Sequence, residues 1–126
     1  MARFSITNET RASIPRVRFS AIKDAVLGAS YELDLIFTVP TKMKKLNLIY
    51  RDKNISTDIL SFPLGKNEGE IYISPSDARK MAKDFDRAYE NFIAFLFIHG
   101  CVHLKGHDHG ATMERIEADI RKRFKV

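Results

Sequence analysis

Between Tyr89 and Lys105 runs the stretch that most constrains the fold. Apolar residues fill positions 92 to 98: Phe92, Ile93, Ala94, Phe95, Leu96, Phe97 and Ile98. As a helix this stretch is apolar nearly all round, and such a helix is stable only when other elements cover it. It therefore predicts a central, largely buried helix. At its end stand His99 and His103, four positions apart, so both imidazoles project from one face, one turn apart. Gly106 follows, and glycine stops helices readily because it takes the left-handed conformation.

Paired histidines also occur as a plain polar stripe on surface helices. Here they end a buried helix, where polar groups need partners. The remaining histidines, His107 and His109, come directly after the expected helix stop. A chain turning back at Gly106 can bring His109 toward the first two. Three neutral imidazoles with an open fourth position are the donor set of catalytic zinc sites. The third ligand expected is His109, with His107 as the alternative if the helix runs through Gly106. The spacing also matches the zinc-protease pattern H-E-x-x-H-x-x-G-x-x-H except at one position. The glutamate that acts there as general base is replaced by Gly100, which argues against peptide hydrolysis. Cys101 points away from the two histidines on a helix and reads as a core residue.

The chain has 126 residues, enough for one domain that buries roughly two-thirds of its unfolded surface. One cysteine excludes an internal disulfide and fits a reducing compartment. No apolar run approaches membrane-spanning length and no signal-peptide pattern opens the sequence, so a cytoplasmic location without membrane contact is expected. The net charge of +5 suggests an acidic partner such as nucleic acid, although such an excess is also common in plain soluble proteins. The basic residues form local groups at Arg11 to Arg18, Lys42 to Lys45, Arg51 with Lys53, and Arg121 to Lys125. Neither an internal repeat nor a linker divides the chain.

A first strand is expected over Arg3 to Thr7. A helix over Ile14 to Leu27 has Pro15 near its start, Phe19, Ile22 and Val26 on one face, and Gly28 at its end. Tyr31 to Val39 alternates apolar and polar residues, the mark of a strand with one buried face. Pro40 opens a helix to Arg51, with Met43, Leu46, Ile49 and Tyr50 expected inward. Thr57 to Phe62 reads as a strand stopped by Pro63, Leu64 to Gly69 as a turn, and Glu70 to Ile73 as a strand. Ser74-Pro75-Ser76-Asp77 combines a capping serine, proline at the first helical position and an early acid. Ala78, Met81, Ala82 and Phe85 continue that helix's apolar face. The histidine helix follows, and a last helix over Thr112 to Phe124 buries Met113, Ile116 and Ile120. This order predicts an α+β (mixed α/β) domain: a small four-stranded mixed sheet packed by about five helices.

A second informative stretch is Leu46-Asn47-Leu48-Ile49-Tyr50-Arg51, followed by Lys53 and by Thr57-Asp58-Ile59-Leu60-Ser61-Phe62-Pro63. Taken alone, Arg51 is a solvated charge favoured by the helix dipole. Together with His99-Gly100-x-x-His103-Leu104-x-Gly106-x-Asp108-His109, however, these segments resemble the YbeY family of bacterial endoribonucleases and rRNA maturation factors. Gly69-Glu70-Ile71-Tyr72-Ile73-Ser74 is similar to that family's G-D-I-x-I-S strand, with Glu70 in place of the aspartate. The likeness runs in order from about Leu46 to His109. The family motif usually has tyrosine where this chain has His107, and many relatives carry a longer acidic loop than Pro63 to Gly69.

The resemblance implies one zinc ion held by His99, His103 and His109, with Arg51 engaging RNA phosphate near the metal. It also implies single-stranded RNA as substrate, a role in small-subunit (16S) rRNA 3′-end processing and ribosome quality control, and contact with the small ribosomal subunit and its assembly factors. Zinc on three histidines can bring the pKa of a bound water to about 7. Attack on a backbone phosphate would come from that water or from an activated 2′-OH. Lys53 could extend a basic groove or stand as a surface charge. Asp108 could orient a ligand histidine or tie down its turn. Two other classes fit the sequence less well: a zinc-containing assembly factor that binds rRNA without cutting it, and a metalloprotease that recruits its base from elsewhere.

Overall fold

The computed structural model describes residues 2–106 and 110–126. The elements run β1 (Phe4–Asn8), α1 (Phe19–Leu27), β2 (Glu32–Phe37), α2 (Pro40–Arg51), β3 (Ile59–Gly65), β4 (Glu68–Ile73), α3 (Pro75–Asp84), α4 (Tyr89–Leu104) and α5 (Ala111–Phe124). Among the described residues four strands and five helices form one α+β domain, as the sequence pattern predicts. Among the described residues no helix is long and apolar enough to cross a membrane.

The sheet order is β1-β2-β4-β3. β1 pairs parallel with β2, and β2 parallel with β4, while β3 and β4 form an antiparallel hairpin that leaves β3 at the edge. β2 is interior: Leu33, Leu35 and Phe37 are buried on the face that α4 covers, beside Ile71 and Ile73, but Ile36 on the other face is buried as well, so the expected single buried face holds only for the first part of the strand. α1, α3, α4 and α5 cover the face of Leu33, Leu35 and Phe37. α4 lies at the centre, with Ile93, Phe97, Ile98, Cys101 and Val102 removed from solvent. Phe19 meets Phe97 edge-on at 5.1 Å, a favoured aromatic geometry. Burial pushes the Cys101 thiol up, which keeps it a protonated core side chain.

The start of α3 follows the capping pattern: Ser74 Oγ accepts the Asp77 amide, and Pro75 occupies the first turn. α4 ends where the glycine stop predicts, with Gly106 at φ +104° and its amide donating to the His103 carbonyl.

Several expectations need correction. The stretch 11–18 is not helical, and α1 begins only at Phe19. This stretch is tied to the ends of the long helices instead. The Arg16 amide donates to the Glu90 carboxylate, and the Arg18 guanidinium lies over Phe124. Pro63 does not stop β3, because an edge strand has positions where a missing N–H loses no ladder bond. β4 begins earlier than expected, at Glu68, because the hairpin closes in a tight turn. On α2 the inward residues are Met43 and Asn47, while Ile49 and Tyr50 face solvent. On α3, Ala78 and Ala82 are buried, but Met81 and, just past the helix end, Phe85 are only partly covered.

Alternation along β3 and β4 separates the two faces of the sheet. Ile59, Ser61 and Ile71 face α4. Phe62 and Tyr72 face the other way, where Tyr50 and Lys42 of α2 meet them. α2 therefore covers the opposite face, and its C-terminal end reaches the β3 edge.

Candidate functional site

Three elements converge at that edge. The last turns of α4 supply His99 and His103, β3 supplies Ile59, Leu60 and Ser61, and the end of α2 supplies Arg51. Together they line a cleft of about 250 Å³. The two histidines thus share a face, as their spacing predicts.

Gly100, between them, packs directly on the sheet. A Cβ there would lie 2.9 Å from Ser61 Oγ, 3.0 Å from Ile59 Cδ1 and 3.1 Å from Ile71 Cδ1. Glycine at this position lets the helix lie against the strands and brings the β3 edge up to the histidines. A glutamate, as the protease pattern requires, would crowd the Ser61, Ile59 and Ile71 side chains that pack there. The missing acid is therefore part of how this cleft is built.

His99 has a buried acid beside it. Its Nδ1 lies 2.8 Å from Glu117 Oε1, and Glu117, on α5, is only 6% exposed. With Nδ1–H donating to that carboxylate, a metal on His99 would be held through Nε2. Carboxylate partners of this kind fix ring orientation and raise ligand basicity in metal sites. Glu117 is not among the site residues expected above, although the sequence carries a signal for it. It sits one turn after Met113 and next to Ile116 on the buried stripe of α5, where an unpaired acid would be costly.

Arg51 is held by the strand it faces. Its Nη2 donates to the Ser61 carbonyl at 3.1 Å, and its guanidinium lies 5.7 Å from the Phe62 ring centroid. The fork has five N–H donors, so one bond to a carbonyl leaves others for an anion. The following loop is pinned by Asn47, buried at the base of α2, which donates to the Ile55 carbonyl at 3.1 Å. Ser56 donates to Asp77 at 2.6 Å, joining the same loop to the start of α3. Burial raises the Asp58 carboxyl above its ordinary pKa. Nearby Asp77 acts in the same direction, while the amides of Asp58 and Ile59 oppose the shift.

The structure brings together Arg51, His99 and His103. Lys53 is exposed in the loop after α2 and is not among the residues lining the cleft. His109, expected as the third ligand, lies outside the described residues, as do His107 and Asp108. Among the described residues no group of three metal-ligating side chains stands together.

The family profile described as endoribonuclease YbeY matches residues 3–125. The chain belongs to the YbeY endoribonuclease family. A protein named endoribonuclease YbeY from Solibacter usitatus is 35% identical over 117 residues, covering 92% of this chain and 78% of the relative. Its Finegoldia magna namesake is 32% identical over 120 residues, covering 90% and 78%. The Nautilia profundicola namesake is 37% identical over 102 residues, covering 75% and 73%. A solution structure from Thermotoga maritima superposes with a TM-score of 0.69, covering 97% of this chain and 91% of that one at 23% identity. That likeness speaks for the fold. For a YbeY chain, the cleft formed by α4, β3 and Arg51 is then the candidate catalytic site.

Proposed function

We propose that this chain is a zinc-dependent endoribonuclease that cuts single-stranded RNA in small-subunit rRNA maturation. In this reading residues 1–126 act as one cytoplasmic catalytic domain on the small ribosomal subunit. The carrying observation is that Arg51, from one face of the sheet, meets His99 and His103, from the other, in one cleft. Family membership supports RNA as the substrate and metal dependence as the chemistry.

The donors fit zinc. Two imidazoles line one cleft, one of them anchored through Nδ1 by a buried carboxylate, and His109 follows in sequence as the third proposed ligand. Zinc bound there supplies Lewis acidity that activates a water or a ribose 2′-OH and polarises a phosphoryl oxygen. Glu117 holds the His99 tautomer and ring. Arg51 receives the scissile phosphate and offsets the charge that grows on it in the transition state, where preorganised donors contribute most. The Ser61 carbonyl holds the guanidinium in place before substrate arrives. Gly100 keeps the β3 edge close enough for both sides to act on one phosphate.

The test is cleavage of a labelled single-stranded RNA by zinc-loaded wild type and by His103→Ala prepared identically. Cleavage by the wild type alone supports the reading. Equal cleavage by both overturns it. RNA binding without cleavage by a zinc-containing wild type replaces it with a non-catalytic assembly factor.

A further inference from the structure

The dipeptides that build the cleft also build a second surface. Tyr50 precedes Arg51 on α2, and Phe62 follows Ser61 on β3. The Tyr50 ring lies against Phe62 with centroids 5.2 Å apart and planes inclined by 55°. Phe62 in turn meets Tyr72 edge-on at 6.0 Å, which braces it from the sheet side. Tyr50 is nonetheless 64% exposed. Arg51 is common to both surfaces: it lines the cleft and lies over Phe62.

We infer that the Tyr50–Phe62 pair is a base-stacking platform, taking the flat face of a nucleobase whose adjoining phosphate sits on Arg51. This rests on RNA being the substrate and says how RNA is held. An exposed aromatic ring beside a cation is the element by which single strands are bound without sequence readout, since every base offers a π-face; Tyr50 is the exposed member of the pair, and half-buried Phe62 backs it. The charges around the row set its extent. Lys42 lies 5.6 Å from the Tyr72 centroid, but its amine is held by Glu9 at 2.8 Å, and Glu70 also faces Tyr72. Phosphates are therefore unwelcome at the Tyr72 end, and the strand enters from the Arg51 side over Tyr50 and Phe62. The platform also gives a physical cause for strand selectivity. A duplex keeps its bases stacked inside and has no free face to offer, whereas a single strand does.

The experiment is fluorescence anisotropy on the zinc-loaded protein with two labelled probes: a short 2′-O-methyl oligoadenylate and an abasic ribose-phosphate strand of equal length. Wild type should prefer the oligoadenylate. Tyr50→Ala should weaken oligoadenylate binding roughly tenfold and leave the abasic strand unchanged, Tyr50→Phe should retain the preference, and Phe62→Leu should lose it. Tyr50 is exposed, so its replacement tests binding without unfolding the chain. The inference is overturned if wild type binds both probes equally, if Tyr50→Ala keeps the preference, or if it loses both probes alike. It is also overturned if Tyr50→Ala leaves RNA binding intact but abolishes self-association in sedimentation velocity, which would assign the rings to a second copy of the chain. RNA cleavage by a wild type that binds the oligoadenylate and the abasic strand equally would sink the platform and leave the nuclease standing. Failure of wild type to bind either probe or to cleave would sink both.

Discussion

The two helices whose ends form the cleft are built differently. α4 is apolar on every side and is covered by α1, α3, α5 and the sheet, so the backbone of its histidines is fixed from all directions. α2 buries Met43 and Asn47, leaves Ile49 and Tyr50 in solvent, and carries Arg51 at its last turn. The part proposed to hold a metal stands on the core. The part proposed to hold RNA stands on a wet, single-sided helix whose tip is fastened by a few hydrogen bonds. A metal needs fixed ligand geometry, whereas a polymer needs an open approach.

The largest expected effect breaks the buried side. Phe97→Ala should cost about 3–5 kcal/mol, because it removes a fully buried ring packed against Phe19. Ile49→Ala on the exposed side of α2 should change stability by no more than about 0.5 kcal/mol. Urea denaturation of the pair checks the contrast, and comparable losses would mean that α2 is as deeply anchored as α4.

Glu117→Gln separates metal holding from packing. It should weaken zinc binding about 10- to 100-fold in chelator competition, as loss of a carboxylate behind a ligand histidine commonly does. Unchanged zinc affinity would reduce Glu117 to a buried helix contact.

Gly100→Ala sets two effects against each other. Crowding against Ser61, Ile59 and Ile71 costs about 1–3 kcal/mol, and alanine's helix propensity returns about 1. Stability should therefore fall by less than about 2 kcal/mol. Cleavage should fall more than this loss suggests, because the crowded Ser61 and Ile59 side chains line the cleft itself and their shift alters the spacing between the histidines and Arg51. A variant cleaving like wild type would show that the close approach of α4 and β3 is not needed.

The smallest effect concerns Asp58, whose carboxyl burial raises in the folded state. A raised folded value means that the group favours folding at pH below its unfolded pKa and loses that contribution as pH rises through the folded one. Asp58→Asn should therefore stabilise the protein at neutral pH, by less than about 1 kcal/mol given partial exposure. The gain should vanish below the ordinary carboxylate range. Thermal melts across pH check this, and a gain that persists at low pH would contradict it.

Much of this molecule is written locally. The apolar run from Phe92 to Ile98, the alternation in the first part of β2, the serine cap of α3 and the glycine stop after α4 depend on nearby residues, and each is legible in order. So is the shared face of His99 and His103. What escaped depends on contacts distant in sequence. The direction of Tyr50 and Ile49 follows from where the β3 edge lies beneath α2. Pro63 fits inside β3 because β3 is an edge, which only the pairing order reveals. The stretch before Phe19 has helix-compatible residues, but Arg16 and Arg18 find partners at Glu90 and Phe124. Glu117 lies on the buried stripe of α5, but its pairing with His99 becomes visible only when α5 packs on α4. The role proposed for Arg51 rests on family resemblance, and its tie to Ser61 is visible only in the fold.

The most direct test of the central claim, that a phosphate site on α2 works with a metal site on α4, is Arg51→Ala with zinc content and single-stranded RNA cleavage measured on one preparation. The account predicts zinc equal to wild type and a cleavage rate reduced on the order of a hundredfold or more. Cleavage at the wild-type rate, or loss of zinc together with Arg51, would contradict it.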